Sequence, residues 1–137
     1  MSDERRDALR EAMKQMDICF MTTWIDQEVT SRPMSNNGQV EWDGDNWFFT
    51  NSDTRKIAQI TANPRAILHF SNDSNWIVLH GQATLHRDDK ALFEKHWVPD
   101  LEKWFEQGIE TPGLTLIEVQ AEIAELAGRV GDGRLSL

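Results

Sequence analysis

Residues 75–86 read Asn75-Trp76-Ile77-Val78-Leu79-His80-Gly81-Gln82-Ala83-Thr84-Leu85-His86. Ile77, Leu79, Ala83 and Leu85 share one side of this run, and His80, Gln82, Thr84 and His86 share the other. Alternation with period two over such a length predicts a β-strand with one buried face. Downstream, Leu114 to about Leu126 predicts a final long strand with Ile117, Val119, Ala121 and Ile123 turned inward. Upstream, Arg65 to Ser71 predicts a strand, and Asn63-Pro64 ends a short helix before it, because a residue preceding proline avoids helical geometry. Ser52 or Asp53 is the expected cap of that helix, with Ile57 and Ile60 on its inner face.

Towards the N-terminus the turn signals come faster. Ile18–Trp24, Glu28–Met34, Gln39–Trp42 and Asn46–Thr50 read as strands, separated by Ile25-Asp26-Gln27, Asn36-Asn37-Gly38 and Asp43-Gly44-Asp45. The first of these is apolar on both faces and is expected to be fully buried. Pro33 suggests that the second ends at an edge or a bend. Ser2 to about Met16 predicts a helix with Leu9, Met13 and Met16 on one face. Arg87-Asp88-Asp89 opens another helix that runs through Trp97, and Pro99 breaks it. Asp100–Gln107 forms a further turn or two carrying Leu101, Trp104 and Phe105, and Gly108–Gly113 is a loop. Residues 128–137 read as a frayed tail. About six strands with short turns and short peripheral helices predict a mainly β fold, a small closed β-barrel, in one domain spanning 1–137. Strict βαβ alternation is absent, which disfavours a doubly wound sheet.

Composition narrows the function classes. The chain has 137 residues and a formal net charge of -9. A general nucleic-acid binder needs a broad basic face, and an anionic membrane surface attracts basic segments, so neither partner is expected. One local basic pocket for a small anion remains compatible with an acidic surface. No apolar run reaches the roughly 18–20 residues of a membrane span, and the N-terminus lacks an apolar signal core. Cys19 is the one cysteine, so no intrachain disulfide or cysteine-based zinc cage can form. These features predict a soluble, cytoplasmic domain.

The densest chemistry lies in Thr50-Asn51-Ser52-Asp53-Thr54-Arg55-Lys56. Hydroxyls, two adjacent cations and a helix N-terminus together suit the acceptor oxygens of a phosphate monoester. The same seven residues also suit a capped surface helix with two solvated cations. Ser31-Arg32-Pro33-Met34 puts an arginine at a strand end, where it faces either a cleft or an ordinary surface ion pair. His80 and His86 share a strand face about 20 Å apart and cannot ligate one ion together. Cys19 sits in an apolar run, as inert packing does. No nucleophile elbow and no glycine-rich phosphate loop between a strand and a helix is present.

Taken in order, Arg32-Pro33-Met34, Trp47-Phe48-Phe49-Thr50-Asn51, Arg55-Lys56-Ile57, Asn63-Pro64-Arg65-Ala66, Val78-Leu79-His80-Gly81-Gln82-Ala83 and Trp104-Phe105 resemble the pyridoxamine 5'-phosphate oxidase-like flavin-binding split barrels. Within them the chain looks most like the general stress protein branch. The resemblance spans about residues 10–126. It implies a six-stranded split β-barrel and a homodimer with FMN at each subunit interface. It also implies that Arg32, Pro33 and Met34 run along the isoalloxazine ring, that Phe49 and Thr50 flank the ring and ribityl chain, and that Asn51 is among the cofactor-binding residues. Thr54, Arg55 and Lys56 would hold the phosphate, and Trp104 would contact the ring.

Two departures bear on the reaction. The vitamin B6 oxidases place a lysine shortly after the arginine, where this chain reads Ser35-Asn36-Asn37, and they carry a C-terminal Arg-x-His clamp that has no counterpart before Leu137. Relatives in the stress-protein branch often have a Trp in the last strand region, where this chain reads Ala124-Glu125-Leu126-Ala127. The resemblance thus implies an FMN-dependent oxidoreductase that does not oxidise pyridoxamine 5'-phosphate, using a small-molecule electron donor and acceptor. The alternatives are a flavin carrier or stress sensor without turnover, or a relative that binds deazaflavin or haem.

Overall fold

The computed structural model of the chain describes residues 2–35 and 42–137. Helix α1 covers Ser2–Met13. Strand β1 (Ile18–Ile25) and β2 (Glu28–Ser35) form a hairpin, followed by β3 (Asp45–Asn51) and helix α2 (Arg55–Ala62). Then come β4 (Arg65–Ser71), β5 (Asn75–Arg87), helix α3 (Lys90–His96), β6 (Leu114–Gly128) and β7 (Gly133–Ser136). Two 3-10 turns, Pro99–Lys103 and Gly108–Glu110, link α3 to β6. The expected turn at 36–38 and most of the expected strand Gln39–Trp42 lie outside the described residues.

All pairings are antiparallel, in the order β2-β1-β4-β5-β6-β3, with β7 added on β6. This is a mainly β split barrel, whose described path ends on β2 at one side and β3 at the other. The core fills its concave side: Cys19 and Met21 from β1, Leu68 and Phe70 from β4, Ile77 and Leu79 from β5, and Phe48 from β3 are all nearly inaccessible. Leu9 and Met13 of α1 and Ile57 and Ile60 of α2 plug it. Burying that many large side chains is the main stabilising term, at roughly 1.5–3 kcal/mol each. Burial in the same core pushes the Cys19 thiol up to about 12, with Asp17 adding to the shift, so it stays a thiol. A second, aromatic cluster gathers Phe49, Phe93, Leu101, Phe105, Leu114 and Leu116 on the other side of β3. Phe48 and Phe49 therefore point into different cores, as neighbours on a strand must.

Four expectations need correction. The first helix ends at Met13, three residues earlier than predicted, and Met16 reaches the core from the turn that follows. β1 is buried on one face only: Ile18 and Phe20 are 54% and 52% exposed. The inward set on β6 is Ile117, Val119, Ala124 and Leu126, not Ile117 to Ile123 throughout. The ladder to β5 skips Glu122 between His80↔Ile123 and Gly81↔Ala121, and such a bulge reverses which parity faces the core. Finally, the tail is ordered. Val130 and Leu135 are buried, β7 pairs with β6, and Arg5 and Arg6 of α1 donate to the carbonyls of Asp132, Arg134 and Ser136. Among the described residues no helix is long and apolar enough to cross a membrane.

Candidate functional site

The curl of the sheet brings its two end strands, β2 and β3, to one cleft of about 410 Å³. Pro33, Met34 and Ser35 come from β2, and Phe49, Thr50 and Asn51 from β3. Lys56 enters from the first turn of α2, and Leu101, Trp104 and Phe105 close the far wall. Ile18 of β1 completes the rim. The lining is mostly apolar, with one cation. Phe49 is held in place by edge contacts to Phe93 and Trp97, with ring centroids 5.7 and 5.1 Å away. Trp104, by contrast, stands 71% exposed at the mouth, with Lys103 over its ring.

Lys56 is half-buried and donates from Nζ to Thr50 Oγ1 at 3.0 Å. Burial, and then the nearby charge of Arg32, hold its ammonium below the usual lysine range. Both effects penalise the cation, and an anion in the cleft would relieve both. The other two members of the expected phosphate trio face elsewhere. Arg55 is exposed and ion-paired with Glu28. Thr54 is the N-cap of α2, in place of the expected Ser52 or Asp53, and its hydroxyl donates to the Asn51 carbonyl at 3.0 Å rather than capping the helix.

Arg32 does not line the cleft. Alternation on β2 leaves Thr30, Arg32 and Met34 partly buried and Ser31 and Pro33 exposed, so the guanidinium turns under α2. It donates to the Met21 carbonyl at 3.2 Å, to Thr23 Oγ1 at 2.7 Å and to Gln59 Oε1 at 2.9 Å. Thr23 Oγ1 donates in turn to Gln59 Oε1 at 2.5 Å, and Gln59 Nε2 donates to Thr30 Oγ1 at 2.9 Å. Thr23 and Gln59 are 0% and 1% exposed, so this is an interior polar network with its donors and acceptors matched. The readings of the individual sequence segments did not find Thr23 or Gln59. The available signal was a glutamine between Ile57 and Ile60 on the inner stripe of a helix.

A second titratable group lies across β3, β6 and β5, away from the cleft. His86 Nε2 is 2.8 Å from Glu118 Oε1, and Glu118 also hydrogen-bonds Asp45. Burial first, then Glu118, raise the Asp45 carboxyl to about 6. Trp47 stacks on His96 at 3.8 Å, and burial lowers the pKa of that imidazole. Among the described residues, no group of three His, Cys, Asp or Glu side chains is placed to hold a metal ion.

The family described as "Pyridoxamine 5'-phosphate oxidase like" matches residues 4–128. The chain belongs to it. No curated protein matches the chain. Among solved structures, general stress protein 26 from Bacillus anthracis is similar at 19% identity and TM-score 0.81, with both chains covered in full. A general stress FMN/FAD binding protein from Xanthomonas citri is 23% identical, with TM-score 0.80, covering 98% of this chain and 96% of that one. A heme binding protein from Mycobacterium smegmatis shares the fold at 12% identity and TM-score 0.73, over 97% of this chain and 57% of its own. At these identities the likeness establishes the split-barrel fold of the pyridoxamine 5'-phosphate oxidase-like proteins.

Proposed function

We propose that this split barrel binds FMN in the cleft between β2 and β3 and serves as a flavin-dependent oxidoreductase, one cofactor to each cleft of a homodimer. The observation that carries the reading is the make-up of the cleft: an apolar slot that ends at a half-buried ammonium. That donor set fits a flat aromatic ring system with a phosphate tail. Met34, Phe49 and Phe105 offer apolar surface to a ring, and Asn51 and the Thr50 hydroxyl offer polar partners along the way. Lys56 then meets the phosphate with a charge-assisted bond. The description of the Xanthomonas citri neighbour as an FMN/FAD binding protein points the same way.

Bound FMN supplies the electron-transfer chemistry. The chain's own part is to bind and orient it, to keep water from its buried face and to neutralise the phosphate. A partner copy is supported by the exposed apolar face next to the slot. Ile18 lines the rim, Phe20 follows on the same side of β1, and Pro33 stands opposite Phe20 in the ladder. A second chain laid on this face would cover all three and complete the open side of the cleft.

The lining described holds no carboxylate, imidazole or thiol, and its one titratable side chain, Lys56, is the group assigned to the phosphate. This favours, as the second reading, a flavin carrier or sensor without turnover. An absorbance spectrum of the purified protein, before and after adding FMN, tests the first. A flavin band with perturbed fine structure that bleaches with a nicotinamide donor and recovers with an acceptor is the expected outcome. A bound flavin that no donor bleaches would favour the carrier. The absence of flavin binding would remove both readings, and a Soret band or a deazaflavin band would replace them with the haem or deazaflavin relative.

A further inference from the structure

Arg32 and Lys56 are two cations that the fold brings to either side of Gln59. Gln59 lies one helical turn after Lys56, so the two side chains leave neighbouring positions on the same face of α2. The guanidinium bonded to Gln59 Oε1 is therefore pinned beside the Lys56 stem. It cannot swing away: its other bonds tie it to the Met21 carbonyl and to Thr23 on β1. Each of those partners is a neutral group, so among the described residues none cancels the guanidinium's charge.

We propose that Arg32 is a positioning residue that acts through Lys56: locked in the Thr23–Gln59–Thr30 network, it keeps an uncancelled positive charge behind the ammonium and so poises Lys56 to take an anion in the cleft, without touching that anion itself. The phosphate role of Lys56 rests on the reading of the cleft given above; the coupling between the two cations does not.

The other charges around Lys56 are few. On α2, Arg55 is paired with Glu28 of β2. On the far wall Lys103 sits over the Trp104 ring at 5.6 Å. Before β1, Asp17 accepts from Ser35 at 3.1 Å. From β3, the described residues that face the cleft, Phe49, Thr50 and Asn51, are all neutral. Arg32 is the one charged group that shifts Lys56, and it acts in the same sense as burial. Holding two like charges together stores unfavourable interaction, which a bound dianion relieves.

The test is the pH profile of Lys56 acylation in the full chain, read residue by residue by mass spectrometry with trace acetic anhydride, with exposed Lys14 as the internal control. Arg32→Gln is expected to move the rise of the Lys56 profile to higher pH, and Arg32→Lys, which keeps the charge, to leave it near that of the parent. Gln59→Glu applies the opposite charge at the same point: its carboxylate lies beside both the guanidinium and the Lys56 stem and is expected to move the profile upward as well. A Lys56 profile unmoved in Arg32→Gln, or in Gln59→Glu if the arginine variant does not fold, overturns the inference. A purely structural role for Arg32 would lower stability and leave the profile in place. Adding FMN to the parent protein separates this from the cofactor reading: FMN that fails to protect Lys56 counts against the phosphate site, and the shift between variants still decides the role of Arg32.

Discussion

Lys56 and Arg55 are adjacent in the chain and meet different surroundings. Lys56 is half-buried against Thr50, whereas Arg55 is exposed and already paired with Glu28. Their contributions to FMN binding are expected to differ accordingly. Lys56→Ala should weaken FMN by about 1.5–3 kcal/mol, the range for a charge-assisted bond, and Arg55→Ala by less than about 1 kcal/mol, as for an exposed pair. Flavin fluorescence titration of both variants measures this, and equal losses would contradict the assignment. Asp45 gives a second test. Its carboxyl is raised from the ordinary value of 3.8 to about 6, so the folded state favours the protonated form. The stability this contributes is complete below about pH 4 and is lost as pH rises through about 6. Asp45→Asn should therefore raise the melting temperature at pH 7–8, with the gain shrinking towards pH 4. Because Asp45 is only partly buried, solvent screening limits the gain to about 1 kcal/mol or less. The shift of His96 has the opposite sign. A lowered pKa favours the neutral ring, so acidification below its ordinary 6.5 works against the Trp47 stack.

Between β5 and β6 the decisive feature is the bulge at Glu122. Ile123 would continue the inward series Ile117, Val119, Ala121 in a regular strand, and the extra residue hands that place to Ala124. Gly81 makes the bulge possible, since a Cβ there would run into the Gln120 carbonyl oxygen and the backbone cannot move aside. Gly81→Ala is expected to cost about 1–3 kcal/mol, the range for overpacking, in a chemical denaturation curve. A change within about 0.5 kcal/mol would show that the two strands can separate locally. The alternation of β5 was legible because Ile77, Leu79 and Ala83 have a simple period. The switch on β6 was not, because one extra residue leaves no mark on composition. Helix α2 was legible in its inner pair, Ile57 and Ile60. Its cap was misplaced, because Ser52, Asp53 and Thr54 are all capable N-caps and only packing selects among them.

For the whole molecule, the open side of the cleft and the exposed Ile18, Phe20 and Pro33 lie on one continuous surface. If a second copy covers it, oligomeric state and cofactor affinity must move together. Phe20→Asp is expected to turn a dimer into a monomer at micromolar concentration in sedimentation velocity and to weaken FMN at the same time, while leaving the melting of the barrel nearly unchanged. Phe20 is half exposed, so the fold itself has little to lose. A parent protein that is monomeric with FMN bound would refute the interface site.

Local order was determined by the sequence itself: strands from period-two alternation, the end of α2 from Asn63-Pro64, and a cationic segment at Thr54-Arg55-Lys56 from residue type and spacing. These are short-range properties, and backbone sterics and local burial act over a few residues. The tertiary structure decided which of those cations faces the cleft. It turned Arg32 inward to Gln59, gave Arg55 to Glu28 and left Lys56 at the end of the slot. It also made the slot itself, by curling β2 and β3, the two ends of the sheet, towards each other. Those outcomes depend on contacts between residues 20 or more positions apart, which no local pattern encodes.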